Sequence, residues 1–180
     1  MKRTPFYEIH LELGAKIAPF AGYEMPIQYE GIISEHKRVR ESVGVFDVSH
    51  MGEFKVSGKD AMRFLQKLTV NDVSKISPGR AQYSAMCYEN GGIVDDLLIY
   101  NLGDYYMVVV NAANIEKDFE WMKKHLEGDV NLENISDDVA LLAVQGPNSL
   151  ATLQKLTDVD LTQIRYYSFV RGKLAGVDMI

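Results

Sequence analysis

Two adjacent carboxyl groups are, by type and spacing, the residues most suited to chemistry. Asp95 and Asp96 lie within the segment 93–100, whose apolar character predicts a β-strand. Because side chains alternate between the faces of a strand, we expect Asp95 on the face of Leu97 and Asp96 on the face of Val94. One carboxyl group would then lie in an apolar environment, where desolvation raises its pKa and suits it to catalysis.

A structural role is the alternative for this pair. Asn90-Gly91-Gly92 just before the strand predicts a tight hairpin turn, because Asn and Gly tolerate a positive φ. Aspartates beside a turn commonly accept hydrogen bonds from backbone N–H groups. The pattern alone favours this role over catalysis for both Asp95 and Asp96.

Two asparagines follow the next predicted strand, 105–110. Amide groups at the end of a strand, just before a helix, are well placed to bind a ligand. We expect Asn114 to cap the helix that begins near Ile115. Asn111 is therefore the candidate ligand-binding residue.

Other reactive residue types lack the context that their chemistry needs. Ser49, His50 and Asp47 have the side chains of a catalytic triad, but the Gly-x-Ser-x-Gly turn is absent and we reject a triad. His36 and His50 lack metal-ligand spacing, so both are expected to be solvated or capping and no metal site is predicted. Cys87 has no basic neighbour and is expected to be a small core side chain.

Composition excludes several classes of partner. The 180 residues include 19 Lys and Arg against 25 Asp and Glu, a net charge of -6 that disfavours nucleic acid and anionic lipid as partners. The single cysteine cannot form an internal disulfide, which fits a reducing compartment. Neither a membrane-spanning segment nor a signal-peptide core is evident, so a cytoplasmic location without membrane attachment is expected.

The middle of the chain shows strand and helix signals in the order βαβ(β)βαβ. The predicted strands are 53–56, 82–88, 93–100, 105–110 and 130–135, and the predicted helices are 59–68 and 115–126. This order predicts an α+β domain of the ferredoxin-like, split βαβ type with one additional strand.

The two flanking parts are expected to form a second α+β domain. Their predicted elements are a helix between Pro5 and Gly14, a loop over 20–29, a helix over 32–43 with Gly44 as a left-handed cap, a helix ending near Leu156, and strands 45–48, 139–144, 166–170 and 174–180. The predicted domains are thus 1–52 together with 137–180, interrupted by the ferredoxin-like domain 53–136.

Short strings along the whole chain carry a family resemblance. They are LGAK at 13–16, FAGYEMP at 20–26, GVFDVSHMG at 44–52, ENGGIVDDL at 89–97, VNAAN at 110–114 and QGP at 145–147. Together they closely resemble the aminomethyltransferase, or T-protein, family of the glycine cleavage system. Tyr23 stands where the family usually has Trp, which exchanges one aromatic side chain for another.

The resemblance implies a particular architecture. Family members have three domains around a central folate cavity and are about twice as long as this chain. The C-terminal β-domain of the family is therefore expected to be absent here, and the 180-residue chain by itself is expected to be inactive.

The resemblance also implies a reaction. The family moves the methylene of the aminomethyl group carried by lipoylated H-protein to tetrahydrofolate and releases ammonia. By residue-to-residue carry-over, Asp96 is the catalytic carboxylate and binds folate together with Met51, Tyr83 and Asn111. Two alternatives stay open: a folate-binding domain like those of sarcosine and dimethylglycine dehydrogenases, and a non-catalytic folate-binding assembly protein.

Overall fold

The computed structural model describes residues 1–180 as an α+β chain. The strands are β1 (Lys2–Arg3), β2 (Lys16–Phe20), β3 (Tyr23–Gln28), β4 (Gly44–Asp47), β5 (Gly52–Ser57), β6 (Arg80–Cys87), β7 (Ile93–Asn101), β8 (Tyr106–Val110), β9 (Asn131–Asn134), β10 (Leu142–Gln145), β11 (Gly172–Leu174) and β12 (Val177–Met179). The α-helices are α1 (Tyr7–Glu12), α2 (Ile32–Glu41), α3 (Ala61–Leu68), α4 (Ile115–Lys124) and α5 (Ser149–Leu153). None of the helices is both long and apolar enough to span a membrane.

The chain divides into two units. The first comprises 1–50, 140–165 and 170–180, and the second comprises 51–139 and 166–169. The second unit contains a five-stranded antiparallel sheet in the order β6-β7-β8-β5-β9, together with α3 and α4. The strands and helices predicted for 53–135 are all present, with ends shifted by up to two residues.

Both faces of this sheet carry apolar side chains. On one face, Phe64 and Leu65 of α3 and Met122 of α4 pack with Phe54 and Val108 of the sheet in a core that excludes water. On the opposite face lies a smaller cluster, which we call the second apolar cluster. Its buried members are Leu102, Met107 and Val109, with Met51, Leu98, Tyr100, Tyr105 and Phe169 partly buried around them.

The hairpin of β6 and β7 has the predicted tight turn and an unpredicted bulge. Gly91 has a φ of 83°, which confirms the turn. Beyond the turn Cys87 is opposite Ile93, but Met86 is opposite Asp95, so Val94 is an additional residue in β7. Val94 is 3% exposed and belongs to the core on the helix-covered face. The prediction that it shares a face with Asp96 is therefore wrong.

In the first unit, the predicted loop over 20–29 is wrong, because most of it belongs to a hairpin. Strands β2 and β3 pair in antiparallel fashion and are joined by Ala21 and Gly22, whose φ angles are 48° and 85°. Positive φ at both central residues defines a type I′ turn, which matches the twist of the adjoining strands. Ala is uncommon in that conformation, so the sequence contains no strong hairpin signal here.

The C-terminal segments differ from prediction in a similar way. The predicted strand 174–180 is a hairpin of β11 and β12 around Ala175 and Gly176, again with positive φ at both residues, 51° and 84°. The predicted strand 166–170 is absent, and Ser168 makes only an isolated bridge to Arg80.

Gly44 has a different role from the predicted left-handed cap. It is not among the residues of positive φ and instead begins β4. A Cβ atom at this position would lie 2.5 Å from Val39 Cγ2, so close packing against α2 explains the glycine.

Gly58 provides a test of backbone packing in the second unit. Its φ is 103°, and an added Cβ atom would overlap the backbone carbonyl oxygen of Asp129. Gly58→Ala is therefore expected to lower the free energy of unfolding by roughly 2–5 kcal/mol, the sum of backbone strain and overpacking.

Gly91→Ala is the matched control, because Gly91 also has a positive φ but nothing lies within 4 Å of an added Cβ. It should cost only the strain, about 1–2 kcal/mol. Urea unfolding of both variants measures the difference, and equal losses would show that the contact at Asp129 relaxes.

Candidate functional site

The Asp96 carboxylate has two side-chain hydrogen-bond donors. The Tyr83 hydroxyl donates to Asp96 Oδ2 at 2.8 Å, and Asn111 Nδ2 donates to Asp96 Oδ1 at 2.8 Å. The bond from Tyr83, and after it the bond from Asn111, hold the pKa of Asp96 below its usual value despite partial burial. Asp96 is therefore ionised at neutral pH, and the expectation of a raised pKa is wrong for this residue.

Three neighbouring strands bring these residues together. Asp96 lies on the central strand β7, and Tyr83 on β6 is opposite Leu98, two residues further along the same face. Asn111 follows Val110, the last residue of β8, which is paired with Leu97. Hydrogen bonding in the sheet thus fixes the spacing of the three side chains.

Met51 immediately precedes β5 and belongs to the second apolar cluster, as do Leu98 and Tyr100. Alternation along β7 puts Leu98 and Tyr100 on the same face as Asp96. The four residues predicted for the folate site therefore belong to one face of the sheet, with an apolar part around Met51 and a polar part around Asp96.

Asp95 is buried, with 7% of its surface exposed, and is linked to the same asparagine. Asn111 Nδ2 lies 3.1 Å from Asp95 Oδ1. The two acids are thus neighbours through one amide group and cannot be treated as independent. Asp95 and Asp96 were expected to accept backbone hydrogen bonds beside the hairpin turn. Asn90 does so instead, because its Oδ1 accepts a hydrogen bond from the Gly92 N–H.

Two further buried acids were missed at the level of sequence. Glu53 in β5 is 1% exposed and Asp118 in α4 is fully buried, and none of their carboxyl oxygens has a hydrogen-bond donor. Burial raises the pKa of each to about 8, and the nearby Asp95 contributes to the shift at Asp118. For Asp118 a signal was available, since its spacing from Ile115 and Met122 places it on the buried face of the helix.

The rejected triad residues have structural partners in the first unit. The Ser49 hydroxyl donates to the Leu141 carbonyl, and Asp47 Oδ2 lies 2.9 Å from His10 Nε2. His50 is 9% exposed and its Nδ1 has no partner, so the expectation of a solvated or capping His50 is wrong. Burial lowers its pKa.

Three remaining candidates have modest roles. Asn114 occupies the N-cap position of α4 but makes no side-chain capping bond, so the predicted cap is wrong. Cys87 is partly buried and unpaired, and His36 is exposed as expected. No group of three or more His, Cys, Asp or Glu residues is arranged to hold a metal ion.

Comparison with known proteins gives one consistent set of relatives. Residues 6–180 match the family model described as the GCVT N-terminal domain. The chain is 58% identical to a protein named aminomethyltransferase from Chloroherpeton thalassium over 98% of the chain and 49% of that protein, and 53% identical to one from Bacillus subtilis over 94% and 47%.

A solved structure agrees with these relatives. The crystal structure of the glycine cleavage system aminomethyltransferase T from Bartonella henselae matches with a TM-score of 0.87 and 33% identity, over 93% of this chain and 46% of that one. The chain thus spans about half the length of the relatives that it matches.

Proposed function

The chain belongs to the GCVT N-terminal domain family, and we propose on that basis that it carries the folate-binding part of an aminomethyltransferase. The proposed reaction moves the methylene of an aminomethyl group on the lipoyl arm of H-protein to tetrahydrofolate and releases ammonia. The observation that carries the proposal is the Asp96 carboxylate, held by Tyr83 and Asn111 on the sheet face that also includes Met51.

Asp96 is proposed to act chiefly through its charge. Loss of ammonia from an aminomethyl group leaves a carbon that carries positive charge, and a fixed anion nearby stabilises that charge. The two donors orient the Asp96 carboxylate before the reaction begins. The same hydrogen bonds lower its pKa, which makes Asp96 a weak proton acceptor, so proton transfer is the lesser part of its role.

Met51, Tyr83 and Asn111 are proposed to bind tetrahydrofolate beside Asp96. A reduced pterin is a flat ring with polar edges, and ligand sites for such molecules combine apolar walls with a few fixed polar groups. Met51 and the Tyr83 ring supply apolar surface, and Tyr83 is 53% exposed and so accessible. Asn111 supplies an amide at the polar edge. The domain limits 1–52 with 137–180 around 53–136 are part of the same proposal.

An activity assay on the complete gene product that contains this chain tests the function. Aminomethylated, lipoylated H-protein and tetrahydrofolate are supplied, and ammonia and methylenetetrahydrofolate are measured together. Equal formation of both products, dependent on both substrates, is expected. Folate binding without ammonia release would favour the non-catalytic alternative. Product formation from sarcosine or dimethylglycine, without a need for H-protein, would favour the dehydrogenase-like one.

A further inference from the structure

A chain of side chains leads from the proposed catalytic carboxylate into the core of the second unit. Asn111 Nδ2 donates to Asp96 Oδ1 at 2.8 Å and lies 3.1 Å from Asp95 Oδ1. The Asp95 carboxyl group is also a neighbour of the Asp118 carboxyl group on α4, because Lys117 Nζ lies 4.0 Å from Asp118 Oδ1 and donates to the carbonyl of Val94, the residue before Asp95. One amide therefore connects the partly exposed Asp96 to a pair of acids beneath the sheet.

The buried end of this chain lacks donors. Asp95 Oδ2 and both Asp118 oxygens are buried without a donor, and Asp118 is fully inaccessible. Two carboxylates can only accept, so two ionised groups at this contact would repel each other and remain unsatisfied. A single proton removes the repulsion and forms a hydrogen bond between the two groups, because a carboxylic acid donates to a carboxylate.

The surrounding charges do not replace that proton. Lys117 Nζ lies 4.0 Å from Asp118 Oδ1 and donates its hydrogen bond to the Val94 carbonyl. Asp96 is the other nearby charge, and its negative charge makes ionisation of Asp118 less favourable. The remaining side chains of α4 that face the core, Ile115 and Met122, are apolar.

We propose that Asp95 and Asp118 hold one proton between them at neutral pH, and that this buried pair positions Asn111 and, through it, Asp96. The positioning role rests on the proposed function of Asp96, whereas the shared proton does not. Asp118 is thus a positioning residue that never contacts substrate. When the proton is lost at alkaline pH, repulsion between the two anions displaces Asp95 and the asparagine bonded to it.

NMR titration of the 180-residue chain with carbon-13 in the aspartate carboxyl groups tests the proton and the positioning without any substrate. One of the two carboxyl groups is expected to stay protonated at pH 7, and Asp118→Asn should abolish that signal. In Asp118→Ala, which leaves Asp95 Oδ2 without a donor and so displaces Asn111, the pKa of Asp96 should rise. In Asp118→Asn, whose amide donates to Asp95, it should not. Full ionisation of both acids at pH 7 would overturn the proposal.

Turnover of the complete gene product supplies the functional readout. Asp118→Ala is expected to lower kcat by roughly 10- to 100-fold, the cost of a displaced catalytic group, and to raise the KM for folate, because Asn111 is displaced as well. Asp118→Asn should retain kcat within about twofold. The kcat of the wild type is expected to decline above pH 8, and the kcat of Asp118→Asn is not. Equal losses in both variants would overturn the positioning role. A complete gene product without activity would instead overturn the proposed function, and the NMR titration would still decide on the proton.

Discussion

Replacing Asp96 with asparagine is expected to lower the turnover of the complete gene product by roughly 10²–10⁴-fold, the range for loss of a positioned charged or acid-base group. The amide matches the carboxylate in size and leaves the contacts with Tyr83 and Asn111 possible. It cannot offset positive charge, so the transition state loses more than bound folate does. Steady-state kinetics and folate titration measure the two effects.

Two further variants act as controls for this effect. Asp137→Asn removes an exposed carboxylate of the second unit outside the proposed site and should leave turnover unchanged. In Asp95→Asn, the amide oxygen can still accept from Asn111 and the amide NH2 group can donate to Asp118. This variant should therefore reduce turnover far less than Asp96→Asn does. If Asp95→Asn and Asp96→Asn lost turnover equally at matched melting temperature, or if Asp96→Asn kept a near-normal rate, Asp96 would not be the catalytic carboxylate.

The largest expected effect on stability concerns Glu53. Burial raises the pKa of its carboxyl group from 4.5 to about 8, so between these values the folded protein binds a proton that the unfolded chain has released. Stability should therefore fall by up to about 1.4 kcal/mol for each pH unit in that window, and the loss is complete above pH 8. Asp118 contributes a fall of the same sign.

Glu53→Gln should remove the contribution of Glu53. The amide resembles the protonated acid in size and neutrality, so the variant and the wild type are expected to unfold at similar urea concentrations near pH 4.5. At pH 8 the variant should be more stable by roughly 3–5 kcal/mol. Urea unfolding at half-unit pH steps measures the change, and Glu89→Gln, at an exposed carboxyl group, is the control. Parallel stability curves for wild type and Glu53→Gln would mean that Glu53 is ionised in the folded protein.

Much of the second unit could be predicted because its signals are local. Alternation marked the strands, helical spacing marked α3 and α4, and Asn90-Gly91-Gly92 marked the tight turn. The hairpins around Ala21-Gly22 and Ala175-Gly176 were missed for one shared reason. In each of them alanine occupies a position of positive φ that favours Gly, Asn or Asp, so the turn depends on the pairing of its strands more than on residue preference.

The membership of the candidate site stays a prediction from the family resemblance, and its electrostatics could not be predicted from the sequence. The carry-over from the family proposed Met51, Tyr83, Asp96 and Asn111, which the sheet arranges on one face. The pKa of Asp96 depends on donors from β6 and from the residue after β8, and no local pattern encodes contacts between distant strands. The hydrogen bonds from the Asn111 amide to Asp95 and Asp96 likewise require β8 to lie beside β7, which no local sequence pattern indicates.

The additional residue Val94 adds a buried apolar side chain to the core without changing the partners of the residues that follow it. Cys87 is opposite Ile93 and Met86 is opposite Asp95, so the two pairs would simply become neighbours if Val94 were removed. A deletion of Val94 would therefore leave Asp95 and Asp96 opposite Met86 and Ala85, and its main cost would be the lost burial of one valine side chain, roughly 1–3 kcal/mol. A deletion among the regularly paired residues 95–99 would instead turn the adjoining side chains to the opposite face of the sheet. In a library of length variants, β7 should tolerate the loss of Val94 better than the loss of any residue from 95 to 99.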